Sequence, residues 1–85
     1  KDTEFFVERT LSIEGVLIGV LITEVLEKGI IKISIRSKFD YDVASVAQML
    51  GGGGHINAAG ATIKSLNLQT ATEAVIRQIG KLFEK

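Results

Sequence analysis

Apolar residues follow three different rhythms along the chain, and each predicts a different kind of element. Near the start, Asp2 is placed to cap a helix, and Phe6, Val7, Thr10 and Leu11 return at spacings of three and four. That pattern predicts a short helix ending by Gly15. From Val16 to Leu26 valine, leucine and isoleucine run on with almost no polar alternation, as in a central strand covered on both faces. Glu27-Lys28-Gly29 supplies a turn, after which Ile31, Ile33 and Ile35 alternate with Lys32, Ser34 and Arg36. A period of two predicts a half-exposed strand forming a hairpin with its predecessor, and it points Arg36 away from the isoleucine face.

Helical periodicity returns at Asp42, a second N-cap candidate, followed by Val43, Val46, Ala47 and Leu50 at i, i+3, i+4 and i+7. Gly51 can close this helix in the left-handed conformation. Ala61, Thr62 and Ile63 suit a short strand. Thr70-Ala-Thr-Glu73 reads as a capping box, and Ala71, Val75, Ile79, Leu82 and Phe83 mark the buried stripe of a last helix. Gly80 within it should cost about 1 kcal/mol relative to alanine. The elements predict one α/β domain, a small mixed β-sheet of three or four strands with helices packed against it. One βαβ-like crossover would pass through the helix from Asp42 to Leu50. The predicted core is Phe6, Leu11, Val16, Ile18, Val20, Ile22, Ile31, Ile33, Ile35, Val46, Leu50, Val75, Ile79 and Leu82.

Composition narrows the function. Ten basic residues balance ten acidic ones over 85 positions, so the net charge is zero, which argues against a broad polyanion-binding surface. Any phosphate recognition has to be local. The chain has no cysteine and a single histidine, which removes disulfides and thiolate zinc sites and leaves little for a metal cage. The missing cysteines fit a cytoplasmic location. The longest apolar run, Val16 to Ile22, is far shorter than the ~20 residues that span a bilayer, so no membrane segment is expected. Opening at Lys1 without methionine, and with no targeting signal at either end, the chain is expected to be a domain of a longer protein.

Gly51-Gly52-Gly53-Gly54-His55 is the segment that apolar packing does not explain, because four glycines add no contact and lose much entropy on ordering. Such a run is either a flexible loop or a backbone that approaches a ligand closely, its N–H groups converging on an anion. His55 would then stand at the rim, and Ile56-Asn57-Ala58-Ala59, if one helical turn, would aim free N–H groups at the same place. Ala58, Ala59 and Gly60 are small enough to pack under the loop. Arg36 is either a solvated charge or a fork that grips phosphate through two parallel bonds, which lysine does not reproduce. Lys38 reads as a solvated rim charge, Asp40 and Asp42 as turn and cap, and Glu8, Arg9, Lys81 and Glu84 as solvated helix faces. The aromatics are too few for a long single-strand platform, although Phe39 or Tyr41 suits one stacked base.

The segment Gly51-Gly52-Gly53-Gly54-His55-Ile56-Asn57-Ala58-Ala59-Gly60, preceded by Ser34-Ile35-Arg36-Ser37 and Asp42-Val43, resembles the C-terminal associated domain of the Asp-His-His (DHH) phosphoesterases. The match runs from about Phe6 to the final helix. It looks most like the bacterial nanoRNase, or oligoribonuclease-like, branch that degrades very short RNA and dephosphorylates 3′-phosphoadenosine 5′-phosphate. The resemblance implies that residues 1–85 are the substrate-binding domain of a hydrolase whose manganese ions sit in a separate N-terminal domain. The domain alone would be inactive, with no catalytic or metal-binding residue of its own. By motif, Arg36 and His55 match residues that contact substrate phosphate, and Gly52, Gly53 and Gly54 match the loop that makes room for it. Lys38 and Phe39 fall at the rim, and Phe39 stands where a glycine is common. The implied partners are a short oligoribonucleotide or nucleotide phosphate and the N-terminal DHH domain. Three relatives offer other readings. Cyclic-dinucleotide phosphodiesterases share the glycine run but tend to replace the last glycine of Ala-Ala-Gly. The RNA-binding modules of alanyl-tRNA synthetases usually differ at the histidine. RecJ-like exonucleases call for a more basic channel.

Overall fold

A computed structural model describes residues 6–13, 17–25, 28–64 and 67–83. Strands β1 (Phe6–Ile13), β2 (Ile18–Val25) and β3 (Ile30–Ser37) are followed by helix α1 (Val43–Met49), strands β4 (Gly53–His55) and β5 (Ala58–Lys64), and helix α2 (Leu68–Gly80). The strands form one five-stranded sheet in the order β1-β2-β3-β5-β4. The α/β architecture with helices packed on a small sheet is as the sequence implies. The sheet, however, has five strands, and its pairings are all antiparallel rather than mixed. Helix α1 does join two strands that run the same way, β3 and β4, as the expected βαβ-like crossover requires, but the two are not neighbours in the sheet. It carries the chain past the place β5 will take and out to the edge, where β4 turns back through Ile56-Asn57 so that β5 fills the gap beside β3.

The first element corrects a second expectation, since Phe6–Ile13 is a strand and not a helix. Its residues pair one for one with β2, from Phe6 opposite Val25 to Ile13 opposite Ile18. The segment carries both periods: Val7, Leu11 and Ile13 also alternate with Glu8, Thr10 and Ser12. Phenylalanine, valine, threonine and isoleucine favour the pleated alternative once a neighbouring strand is available to pair. Glu8 and Arg9 accordingly lie on a strand. The expected cap at Asp2, the stop at Gly15, core positions Phe6, Leu11 and Val16, and Glu84 fall outside the residues or side chains described.

β2 and β3 form the expected hairpin, with Gly29 at φ +64° in the turn. Both helices cover one face of the sheet. Ile18, Val20 and Ile22 of β2, Ile31, Ile33 and Ile35 of β3, and Ala59 of β5 meet Val43, Val46 and Ala47 of α1 and Ala71, Val75 and Ile79 of α2. Each large aliphatic side chain buried there contributes roughly 1.5–3 kcal/mol. Leu50 and Leu82 pack against this core half-buried. The opposite face is open in this chain: Leu21 is 39% exposed and Lys32, Ser34 and Arg36 are exposed. The continuous apolar run of β2 thus reflects a strand interior to the sheet but covered on one face only.

Capping follows short polar side chains. Asp42 accepts a bond from the Ser45 amide at 3.2 Å, as expected. For α2 the cap is Asn67 rather than Thr70, whose amide donates to Asn67 Oδ1 at 2.7 Å. Starting at Leu68, the helix gains a turn over the capping-box reading. Gly80 is its final residue, ahead of a 3-10 turn at Lys81–Phe83, and so weakens no helix interior. Tyr41 packs on Phe83 with ring centroids 5.0 Å apart.

The glycine run is explained largely by packing, contrary to the sequence reading. Gly51 takes φ +91° just beyond α1, with its amide bonded to Gln48 O, while the Gly52 amide bonds to Ala47 O. Two amides expected to converge on an anion therefore close the helix instead. A Cβ on Gly52 would fall on the carbonyl oxygen of Gly60, and one on Gly54 would lie 2.6 Å from Ala58 O, at φ +148°. The small residues of β5 do pack under the loop as expected. Gly53 differs, for a Cβ there would meet nothing within 4 Å. Gly52→Ala and Gly54→Ala should each lower unfolding free energy by roughly 3 kcal/mol, the upper end for overpacking, whereas Gly53→Ala should change it by less than about 1 kcal/mol. Urea denaturation of the three variants checks this ranking.

Candidate functional site

Strand register places the two side chains singled out for phosphate contact in one line. Arg36 of β3 lies opposite Ala58 of β5, and Ala58 lies opposite His55 of β4. Residues paired across a ladder project to the same face, so Arg36, Ala58 and His55 share the open face of the sheet. Two strand spacings separate the Cα atoms of Arg36 and His55 by about 10 Å, a gap that two long side chains can close around one phosphate. The intervening residue is a single methyl group. On the other side Arg36 pairs with Gly19 of β2, so the arginine is flanked by the two smallest side chains available.

One row further along the same face stand Gly53, Gly60, Ser34 and Leu21 in register. The floor beside Arg36 and His55 is therefore backbone and small side chains, over which a ligand can approach closely. Both Arg36 and His55 are exposed, and the Arg36 guanidinium donates to the carbonyl of Ile35 at 3.4 Å.

An open concavity of about 340 Å³ adjoins Arg36 and is lined by Leu17, Gly19, Arg36, Ser37 and Lys38. Lys38 stands at the end of this lining, next to Ser37. His55 stands on the opposite flank of Arg36, beyond Ala58, so the arginine sits between the concavity and the histidine. Phe39 follows Lys38, 75% exposed, with φ +58°. This left-handed backbone is the conformation that glycine adopts freely, which accounts physically for the glycine common at this place in resembling sequences. Of the two aromatics suited to a base, Tyr41 is engaged with Phe83 and Phe39 is not buried.

Ile56-Asn57 is a two-residue hairpin turn rather than the start of a helical turn, and Asn57 is the residue that sequence reasoning passed over. Its amide nitrogen lies 3.2 Å from Ser37 O, 2.9 Å from Ser37 Oγ and 2.8 Å from Phe39 O. Two N–H hydrogens are shared among three acceptors. The Ser37 amide donates back to Asn57 O at 3.1 Å, the Ser37 hydroxyl donates to Tyr41 O at 2.7 Å, and the Val43 amide donates to Ile56 O at 2.8 Å. The turn that carries His55 is in this way fastened to the segment that follows Arg36. No local pattern announces this role, because asparagine in a tight turn is already accounted for by turn preference.

Asp42 is engaged as a cap, and among the described residues no group of three or more His, Asp, Glu or Cys side chains is arranged to hold a metal ion. No described helix is long and apolar enough to cross a membrane.

A domain of this architecture, with a glycine-histidine hairpin set against an arginine strand, matches the DHHA1 domain over residues 1–81, and the chain belongs to that family. It is similar to the bifunctional oligoribonuclease and PAP phosphatase NrnA of Thermus thermophilus, with 39% identity over 79 residues. That alignment covers 93% of this chain and 24% of the relative, so the chain spans about a quarter of that protein's length. Both the family and the oligoribonuclease-like branch read from the motif are borne out.

Removing the Asn57 donors should loosen the junction between the hairpin and the arginine strand. Asn57→Asp, which keeps the shape but turns a carboxylate toward three oxygens, should lower stability by roughly 1–3 kcal/mol and at least as much as Asn57→Ala. Denaturant titrations measure the loss, and amide shifts confined to residues 37–43 and 55–58 would locate it.

Proposed function

We propose that this chain is the substrate-binding domain of a manganese-dependent phosphoesterase that degrades very short RNA and dephosphorylates 3′-phosphoadenosine 5′-phosphate. The observation that carries this reading is the in-register row of Arg36, Ala58 and His55 on the open face. A phosphate between the two side chains would take two parallel N–H bonds from the guanidinium fork and a third from the imidazole. The methyl of Ala58 and the bare backbone at Gly53 and Gly60 leave room for its oxygens. On the far side of Arg36, the concavity beside Leu17 and Gly19 receives the nucleoside, with Lys38 at its edge.

A net charge of zero suits a short ligand, whose few phosphates are met by single side chains, better than a long strand that needs a continuous basic track. The described residues do not fit manganese, so no step of hydrolysis is derived from them. When bound in a separate domain, the metal pair would supply the activated water. This domain then contributes affinity and orientation, and by itself it hydrolyses nothing. A cytoplasmic location goes with the same reading, as does contact with an N-terminal DHH domain.

Amide NMR titration of the chain with 3′-phosphoadenosine 5′-phosphate, a 5′-phosphorylated diribonucleotide and a cyclic dinucleotide tests the proposal. Shifts should cluster around Arg36, His55 and Gly53 and be stronger for the linear ligands. Arg36→Ala should weaken binding at least about tenfold, equivalent to ~1.4 kcal/mol, with Arg36→Lys recovering only part. His55→Ala should also weaken it, and both variants should still unfold cooperatively because neither side chain is in the core. Preference for the cyclic ligand would move the assignment to a cyclic-dinucleotide phosphodiesterase, and binding unaffected by Arg36→Ala would overturn it.

A further inference from the structure

Among the described residues, Phe39 is the non-glycine with positive φ, at +58°, and it is also the most exposed of the large apolar side chains, at 75%. The left-handed region is disfavoured for a bulky side chain, because Cβ crowds the following carbonyl oxygen. A residue kept in that conformation is held there by the structure around it, and here the ring itself is too exposed to be what holds it. Tyr41, two residues on, shows the contrast, its ring packed on Phe83.

The conformation is imposed from outside the residue. Asn57 Nδ2 donates to Phe39 O at 2.8 Å, the Lys38 amide donates to Leu17 O at 2.9 Å, and the Tyr41 amide reaches Lys38 O at 3.5 Å. The peptide that follows the ring is therefore tied to the hairpin turn beside His55, the one before it accepts from Tyr41, and the Lys38 amide one peptide earlier is tied to Leu17, just ahead of β2. An aromatic ring is held exposed one residue beyond Lys38, which itself lines the concavity beside Arg36.

We infer that Phe39 is a stacking platform for the nucleobase of a nucleotide whose phosphate lies against Arg36, and that Asn57 is the positioning residue that fixes its backbone. The inference rests on the phosphate-binding reading above and adds to it the recognition of the base. A flat neutral ring gains from stacking on any base whatever its hydrogen-bonding edge, so this contact confers affinity for nucleotides over sugar phosphates without choosing among bases. Strain retained at an exposed position without compensating burial is the pattern expected where a residue serves a ligand.

Phosphate and base contributions separate when the chain is titrated with adenosine 5′-monophosphate and with ribose 5-phosphate, followed by amide and aromatic NMR shifts. The unaltered chain should bind adenosine 5′-monophosphate the more tightly, with upfield shifts of the Phe39 ring protons. Phe39→Gly should lose about tenfold in affinity for the nucleotide and nothing for the sugar phosphate, the scale of one stacked base. It should also raise Tm by roughly 2–5 °C as the backbone strain is relieved, which a merely structural ring would not do. Phe39→Tyr should restore nucleotide affinity. Arg36→Ala should weaken both ligands alike.

Loss of both ligands in Phe39→Gly, or of neither, overturns the stacking role, and a fall in Tm with both ligands weakened assigns the ring to structure. Undiminished nucleotide affinity in Phe39→Gly leaves the ring as a contact for another part of the protein. If instead Arg36→Ala leaves ribose 5-phosphate binding unchanged, or the unaltered chain binds neither compound, it is the phosphate reading that fails, and the stacking role with it.

Discussion

The closeness of β4 to β5 sets the geometry of everything on the open face. Backbone lies against backbone at Gly52 and Gly54, where any side chain would enter the neighbouring strand. That contact lets three residues at the sheet edge form a strand at all, and it fixes the register that brings His55 level with Ala58 and hence with Arg36. Glycine is needed here first for steric reasons, to which the φ of +148° at Gly54 adds a conformational one, and the entropy lost on ordering it is offset by ladder bonds and by the helix closure at Gly51. Of the two glycines of β4, Gly53 has space above it, on the open face of the sheet.

Polar groups complete what the glycines begin. The hairpin pairs with β3 through β5, and its tip has a separate tie to the end of the arginine strand, where Asn57 bonds Ser37 and Phe39 at 2.8–3.2 Å. The two faces of the sheet thus divide the labour. The isoleucine face with α1 and α2 supplies stability, and the other face carries small and charged side chains whose spacing is set by strand pairing. A change on the open face can alter binding without reaching the core, which is the separation a binding domain of marginal size requires.

Much of this was legible in the residues. The alternation of Ile31, Ile33 and Ile35 with Lys32, Ser34 and Arg36 gave strand, hairpin and the outward arginine together, because one period answers all three questions. Asp42 and Gly51 bracketed α1 correctly, since caps act locally. The N-terminal strand was missed where the segment from Phe6 carries helical and strand periods at once, and only a partner strand decides between them. The edge strand β4 was missed for a related reason: nothing in two glycines and a histidine announces a strand whose residues are chosen for closeness instead of propensity. Asn57 was passed over because its partners, Ser37 and Phe39, are twenty and eighteen positions away. The candidate residues Arg36 and His55 were singled out through a motif, but their relation in space came from the ladder.

A sheet that ends in two glycines and a histidine also has a bearing on how such a domain keeps to itself. Exposed strand edges invite foreign strands to extend the ladder, and proteins blunt them by shortening them. β4 presents only three residues, bent by the φ of +148° at Gly54, with α1 packed alongside. The margin that carries His55 therefore offers an intruding chain almost no template, so the same brevity that brings His55 level with Arg36 guards this border of the sheet against polymerisation.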